Sequence, residues 1–274
     1  MPSSFRTTAY RTSDELFILG LTLVLVFAVI AISAVATLCA SFVLVALAVF
    51  LAYSSSQAHH RILMERAYPV TDSSAPELAA LVRQCVQRLQ PGVVQVFVTP
   101  SNQLNAYTFG LSDPRVVVLY SALFDVMDAD ELHFVFGHEL GHVQLGHTRL
   151  NSLLGGMAGI PSSSAASALL IMAFLSWNRA CEYSADRAGL LVCGKPEKAI
   201  TALVKLVAGP KGLTRHGLEL AYQQIDAEDD TWIGNLNEAL ASHPLLIRRI
   251  NQIRRYAATQ EYKNLQAMIN QNSA

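Results

Sequence analysis

The sequence predicts a mainly helical α+β fold with a small sheet, preceded by a hairpin of two transmembrane helices. Three observations support this: a long uncharged stretch near the N-terminus, apolar residues recurring every three or four positions, and two short valine-rich segments. At 274 residues the chain has room for one domain of about 100 to 200 residues and an anchor. The predicted boundaries are an N-terminal tail at 1–15, the hairpin at 16–53, a linker at 54–75 and the main domain at 76–274.

The composition points toward lipid and away from nucleic acid. Hydrophobic residues make up 52% of the chain and charged residues only 15%, whereas about a quarter of a typical soluble domain is charged. The formal net charge is -1, so the chain has no excess of Lys and Arg to neutralise the phosphates of a nucleic acid. We therefore expect the lipid bilayer as a partner and no nucleic acid.

The hairpin is predicted from an uncharged stretch. No Asp, Glu, Lys, Arg or His occurs in the 38 residues from Leu16 to Tyr53. One straight helix of that length would run far beyond the roughly 30 Å hydrocarbon core, so two spans with a turn near residues 31–37 fit better. A single tilted span is the alternative. A signal peptide is excluded because its apolar region has only about 7 to 15 residues.

Arginines flank the uncharged stretch on both sides: Arg6 and Arg11 before it, Arg61 and Arg66 after it. With two spans, the positive-inside rule places both flanks in the cytoplasm. We therefore expect a multi-pass protein of the cell membrane with a cytoplasmic main domain. The cysteines form no CxxC pair and are expected to be reduced and buried; they are Cys39, Cys85, Cys181 and Cys193.

The main domain begins with a predicted helix and two strands. Apolar residues at helical spacing predict a helix over residues 76–90, and valine-rich runs predict strands at 93–98 and 115–120. Residues 151–178 are uncharged but contain several glycines and a proline. Their best apolar run, 165–175, is too short to cross a bilayer. It predicts a loop followed by a buried or membrane-touching helix, with partial insertion as the alternative.

A second predicted helix runs from residue 129 to about residue 150 and contains the motif HExxH. Asp128 and Glu131 are spaced as a variant capping box at its start. At 3.6 residues per turn, His138 and His142 lie on one face and can offer two imidazoles to one zinc ion. Glu139 lies beside the remaining coordination position, where it is predicted to act as general base.

A catalytic zinc site needs a third protein ligand, and the metzincin pattern does not supply it. That pattern, HExxHxxGxxH, would require glycine and histidine where this chain has Leu145 and Thr148. His147 is rotated by more than roughly 90° from both motif histidines on an ideal helix. This rotation favours an exposed or helix-capping residue.

A better third ligand lies on a helix predicted from about residue 176 to residue 193. Glu182 and Asp186 are four residues apart and share one face of it. In this interpretation Glu182 binds zinc, and Asp186 accepts the second ring N–H of a ligating histidine. The alternative is a solvated acidic face, since Arg179 and Arg187 flank the pair.

Four motifs in order make the chain resemble the HtpX-like and type 1 CAAX prenyl endopeptidase family of membrane gluzincins. They are Asn105-Ala106-Tyr107 with Gly110, His138 to His142, Glu182 with Asp186, and Ser242-His243-Pro244 followed by Arg249-Ile250. The resemblance implies a zincin-like catalytic domain with Glu182 as the third ligand. It also implies an edge strand at Asn105, Ala106 and Tyr107 that aligns the substrate backbone. His243 and Arg249 would serve the oxyanion and hold the site.

The expected function is therefore zinc-dependent endopeptidase activity, with one zinc per chain, on peptide or membrane-associated protein substrates. Members of the family usually carry further spans between HExxH and the glutamate, and the interrupted segment at 151–178 departs from that pattern.

Two other functions remain open on the sequence. One is an inactive zinc-fold binding protein, against which the retained Glu139 argues, because this residue is not a ligand. The other is a zinc hydrolase that acts on something other than peptides, which the ligand pattern does not separate from a peptidase. An extended edge strand at 105–110 would favour peptide.

Overall fold

The computed structural model of the chain describes residues 8–36, 40–154, 165–212 and 246–273. The helices are α1 (Ser13–Ala36), α2 (Ala40–Met64), α3 (Pro76–Leu89), α4 (Ala122–Val126), α5 (Ala129–Leu145), α6 (His147–Leu154), α7 (Ala165–Cys193), α8 (Pro196–Gly212), α9 (Leu246–Ala258) and α10 (Gln260–Ser273). The strands are β1 (Tyr68–Pro69), β2 (Val94–Thr99), β3 (Ala106–Phe109) and β4 (Arg115–Tyr120). The fold is therefore mainly helical with one small sheet, as the sequence predicts.

The sheet is mixed, in the order β1-β2-β4-β3. β2 and β4 run parallel, with Val96 opposite Val117, while β3 pairs antiparallel with β4, with Thr108 opposite Val117. The central strand β4 is the most buried, in keeping with its valine-rich sequence. β3 lies at the edge of the sheet, where its outer side faces the cleft described below.

Helix α5 begins as predicted and ends earlier than predicted. The capping box is confirmed: the Asp128 carboxylate accepts from the Glu131 backbone N–H, and the Glu131 carboxylate accepts from the Asp128 N–H. The helix was expected to continue to about residue 150, but it stops at Leu145. Gly146 takes the left-handed conformation, with φ of 86°, which glycine adopts at little cost. The chain then turns into α6.

Helix α7 is longer than predicted. The apolar run 165–175 and the helix expected from about residue 176 are one continuous helix of 29 residues. Most of the expected preceding loop, residues 155–164, lies outside the described residues. The helix predicted over 76–90 and the strand predicted at 115–120 are confirmed within one residue, and the strand predicted at 93–98 is shifted by one.

Glycines bring α5 and α7 into close contact. A Cβ atom added to Gly141 would lie 2.6 Å from the Ala188 Cβ, and one added to Gly137 would lie 2.7 Å from the Val192 Cβ. On the facing helix, a Cβ on Gly189 would lie 2.7 Å from a backbone oxygen of α5. No side chain larger than hydrogen fits at these three positions unless the helices move apart. This close approach sets the distance between the two helices that carry the predicted ligands.

Substitution of Gly141 by alanine is therefore expected to destabilise the protein. The new methyl would meet both the Ala188 side chain and the Ala185 backbone, the latter at 3.2 Å, and overpacking of this kind costs about 1–3 kcal/mol. We expect a lower Tm in detergent. The matched control is Gly20→Ala in α1, where nothing lies within 4 Å. An equal Tm for both variants would show that α5 and α7 separate easily.

The first two helices carry the apolar surface that the composition anticipates. By length and composition α1 can cross a membrane, and only 11% of its apolar window, Ser13–Ile32, is buried. Phe17, Phe27 and Val35 are each more than 70% exposed. Helix α2 continues to Met64, so the first part of the expected linker is helical. The turn expected near residues 31–37 is wrong for 31–36, which form the last part of α1, because no glycine or proline interrupts the helix there. Residue 37 lies outside the described residues.

The segment before α1 packs against the main domain. Tyr10 is fully buried in the main core, and the Arg11 guanidinium donates to the Leu145 carbonyl at 2.9 Å, at the C-terminal end of α5. The Thr12 N–H donates to the Ser184 hydroxyl at 3.0 Å. Part of the segment that the sequence assigns to an N-terminal tail is thus in contact with the helices that carry the candidate site.

Three of the cysteines are free and buried, as predicted. These are Cys85, Cys181 and Cys193, and burial raises the pKa of each thiol. Cys39 lies outside the described residues. The three thiols behave as small apolar side chains.

Candidate metal centre

Three predicted ligands from α5 and α7 converge at one point. The Nε2 atoms of His138 and His142 are 3.1 Å apart. The two carboxylate oxygens of Glu182 lie 3.6 Å from the His138 Nε2 and 3.5 Å from the His142 Nε2. His138 and Glu182 are each 9% exposed. Two residues four positions apart on α5 and a third, 40 or more positions later on α7, thus form a compact, partly dehydrated donor set.

The donor set fits a zinc ion. Zinc bound at about 2.0–2.1 Å in tetrahedral geometry places its ligand atoms about 3.3 Å from one another, close to the distances found here. All three groups are acceptors when the histidine protons reside on Nδ1. Three acceptors aimed at one point repel each other unless a cation lies between them. Two imidazoles and one carboxylate are also the ligand set of catalytic zinc sites that keep one position open.

Asp186 and Arg249 lie directly behind the donor set. The His138 Nδ1 is 3.0 Å from an Asp186 carboxylate oxygen, a contact that keeps the His138 proton on Nδ1 and leaves Nε2 free. Arg249 from α9 donates two hydrogen bonds to Asp186, at 2.8 and 2.6 Å, and its guanidinium is 3.3 Å from Glu182. Burial alone would raise the pKa of Asp186, but the Arg249 guanidinium lowers it below its usual range.

Glu139 is buried beside the two histidines. It is 7% exposed, and burial raises the pKa of its carboxyl. It borders a cleft of about 400 Å³. The other predicted residues on this cleft are Asn105, Ala106, Tyr107, His138, His142, Glu182 and Arg249. The cleft therefore lies between the edge strand β3 and the donor set. His243, predicted to serve the oxyanion, lies outside the described residues.

The prediction for His147 is wrong. It is 2% exposed, and its Nδ1 lies 2.9 Å from the His142 Nδ1. The rotation argument assumed one continuous helix, whereas the break at Gly146 redirects the chain and turns the His147 ring back toward His142. Burial lowers the pKa of His147 to about 4, although the nearby Glu15 carboxylate raises it. The imidazole is therefore neutral at neutral pH.

Glu15 is a site residue that the sequence did not reveal. Its carboxylate lies 2.8 Å from the His147 Nε2 and accepts hydrogen bonds from Arg11 and Ser184, and the residue is fully buried. In the sequence Glu15 only marks the end of the uncharged stretch. The one available signal is an acidic residue immediately next to an apolar span, where burial requires a partner.

A helix-borne HExxH pair, a glutamate from a second helix and a buried glutamate beside them form the arrangement that is typical of metallopeptidases. The comparison with protein families agrees, because the model described as "Peptidase family M48" matches residues 72–257. The chain belongs to this family.

Similar proteins with curated names include the plastoglobule-localized metallopeptidase 48 of Arabidopsis thaliana, 28% identical over 74% of this chain and 63% of that protein. A protease HtpX homolog from Paenarthrobacter aurescens is 25% identical over 70% of this chain and 76% of that protein. Another, from Thermodesulfovibrio yellowstonii, is 30% identical over 57% of this chain and 67% of that protein. The chain thus spans less than two thirds of the plastoglobule protein. The crystal structure of S. mikatae Ste24p is similar over 86% of this chain and 61% of that chain, at 18% identity and a TM-score of 0.47.

Proposed function

We propose that the protein is a membrane-anchored, zinc-dependent endopeptidase. The observation that carries the proposal is the convergence of His138, His142 and Glu182 within reach of one ion, with Glu139 beside them on a cleft. Membership of a peptidase family and similarity to proteins named proteases point to peptide bonds as the target. An inactive binding protein would have no use for a buried carboxylate that is not a ligand.

The proposed mechanism assigns proton transfer to Glu139. When bound, zinc lowers the pKa of a water molecule toward about 7 and polarises the scissile carbonyl. Glu139 takes the proton from the attacking water and then delivers it to the leaving amine, acting as base and then as acid. Asp186 and Arg249 keep Glu182 and His138 in place through the contacts described above. His243 is proposed to stabilise the oxyanion, as the family resemblance implies.

The edge strand β3 favours a peptide over another hydrolysable substrate. Asn105, Ala106 and Tyr107 line the cleft together with the donor set, and β3 has a partner strand on one side only among the described residues. An extended peptide can add to such an edge through backbone hydrogen bonds. We propose that the substrate backbone lies along β3, which brings one of its carbonyl groups to the metal.

We propose that α1 and α2 form a transmembrane hairpin. At 1.5 Å per residue α1 is about 36 Å long, and the uncharged part of α2 from Ala40 to Ala58 is about 28 Å long. The start of α1 contacts α7 through Thr12, and the His60 ring near the end of α2 stacks on Phe109 of β3 at 3.8 Å. Both outer ends of the hairpin therefore lie against the same domain, which favours one side of the membrane for both.

The hairpin predicts the same location for both chain ends. Reporter domains fused before Met1 and after Ala274 are expected to be cytoplasmic, because Arg6, Arg11, Arg61 and Arg66 flank the spans. A third reporter inserted next to residue 38 is the internal control and is expected on the opposite side. Opposite locations for the two ends would mean an odd number of spans and would overturn the hairpin.

A cytoplasmic catalytic domain on a membrane anchor fits the processing or quality control of membrane proteins. The direct test of peptidase function is hydrolysis of an unfolded protein such as casein by the purified full-length chain in detergent, with Glu139→Gln as the comparison. Comparing membrane proteomes from cells that express either form would then identify natural substrates.

A further inference from the structure

The contacts of the zinc ligand His142 differ from those of His138. The Nδ1 of His138 faces a carboxylate directly, whereas the Nδ1 of His142 faces the imidazole of His147 at 2.9 Å. The second nitrogen of His147 faces the Glu15 carboxylate at 2.8 Å. Both His147 and Glu15 are buried. A continuous line of hydrogen bonds thus runs from the start of α1 through α6 to a metal ligand on α5.

Only one arrangement of protons suits this line when His142 binds a metal. A ligating His142 keeps its Nε2 free, so its proton resides on Nδ1 and is donated to the Nδ1 of His147. His147 is then an acceptor at Nδ1 and carries its own proton on Nε2. That proton points at the Glu15 carboxylate, which is the acceptor found there. The three groups are complementary without any rearrangement.

The carboxylate at the end of the line is itself held in place. Glu15 accepts hydrogen bonds from the Arg11 guanidinium and the Ser184 hydroxyl as well as from His147. Arg11 also donates to the carbonyl that ends α5, at Leu145. The three donors fix both oxygens of Glu15, so the carboxylate has little freedom to turn away from His147.

We propose that His147 and Glu15 are positioning residues for the zinc ligand His142, and that the N-terminal end of the membrane helix α1 thereby completes the metal site. The inference rests on the proposed zinc peptidase and deepens it. Outer partners of ligating histidines fix the ring and raise its basicity, and their loss typically lowers metal affinity or activity 10- to 100-fold. The catalytic centre therefore depends on a residue that lies outside the HExxH helix and 123 positions before His138.

Three substitutions at position 147 separate hydrogen bonding from packing. An asparagine places its carbonyl oxygen near the position of the histidine Nδ1, so His147→Asn keeps an acceptor for His142. A glutamine places its amide near Nε2, so His147→Gln keeps a contact with Glu15 only. His147→Phe retains the ring beside Trp177 but has no acceptor. All three are measured in the full-length protein in detergent.

The readout is the zinc dissociation constant, obtained by competition with a chromophoric chelator, together with the visible spectrum of the cobalt-substituted protein. His147→Phe and His147→Gln are expected to weaken zinc binding 10- to 100-fold and to change the cobalt spectrum. His147→Asn is expected to stay within a few-fold of wild type, because an amide carbonyl is always an acceptor and does not need Glu15 to fix its tautomer. Glu15→Gln should weaken zinc binding in the wild-type background but add nothing to His147→Phe, because the two residues act in series.

Unchanged zinc affinity in His147→Phe would overturn the inference. Equal losses of zinc affinity in all three variants, in proportion to the fall in their Tm, would also overturn it, because they would reflect packing alone. A second zinc per chain that is lost in Cys181→Ser would also overturn it, because Glu15, His147 and Cys181 would then be ligands themselves. The proposed function fails separately, when the wild-type chain binds no zinc or cuts no peptide.

Discussion

Replacing Glu139 by glutamine is expected to abolish peptide hydrolysis while leaving the fold and the zinc content intact. Glutamine has nearly the same size as glutamate, so the buried position beside His138 and His142 stays filled. It lacks a basic carboxylate and cannot take a proton from the attacking water. Loss of a general base typically lowers the rate by about 10² to 10⁴. The measurement is the initial rate of casein cleavage in detergent, with zinc content and Tm determined on the same samples.

The matched control is Glu261→Gln, the same chemical change at an exposed position of α10. This variant is expected to cleave at the wild-type rate. Wild-type rates from Glu139→Gln as well would rule out the proton transfer assigned to Glu139 and, with it, the peptidase mechanism. His147→Ala is unsuitable as a control, because the structure places His147 against His142, one of the proposed ligands.

Removing two ligands together, His138→Ala with Glu182→Ala, is expected to reduce zinc from about one ion per chain to none. Two of three protein ligands disappear, and His142 alone is a weak site. The Asp186–Arg249 pair remains intact and continues to join α7 to α9. We therefore expect a folded protein without metal. Zinc content is measured by elemental analysis after purification in detergent.

The same variant gives a second readout. A ligand present at about 1,000 times its dissociation constant stabilises the folded state by about 4 kcal/mol. A chelator should therefore lower the Tm of the wild-type protein and leave that of the double variant unchanged. The control is His133→Ala, on the same helix but bonded to Ala129 and Gln84 instead of facing the donor set; it should keep its zinc. Full zinc content in the double variant would place the metal elsewhere.

Local patterns were sufficient for most of the elements and for the shared helix faces of the donor residues, whereas the choice of Glu182 as third ligand also needed the order of the four motifs. The i, i+4 spacing of His138 and His142, and of Glu182 and Asp186, determines which side chains share a helix face, because the period of an α-helix does not depend on what surrounds it. The capping box at Asp128 was predictable for the same reason, since its two hydrogen bonds join residues three apart. Predictions that depend on such short separations agree with the structure.

Predictions that continued a helical pattern past the end of a helix did not agree with the structure. The sequence carries Gly146, but a glycine inside an apolar helical pattern is tolerated often enough that the end of α5 was placed about five residues too late. The helical rotation that predicts an exposed His147 does not apply, because α5 ends at Leu145, before that residue. His147 is buried because it contacts Glu15 of α1 and Trp177 of α7. The spacing of apolar residues along one helix does not predict contacts between different helices.

The sequence by itself determined the mainly helical fold with a small sheet, the helix that carries HExxH, the second acidic helix and the edge position, among the described strands, of the segment after Asn105. Each of these follows from spacing along one element or from motifs in a fixed order. Only the tertiary structure decided that Glu15 and His147 adjoin the candidate metal centre. Their hydrogen bond joins residues 132 positions apart, and the glycines that let α5 and α7 approach act through space. Contacts of this kind arise from packing between elements, so they become visible only when the elements are assembled.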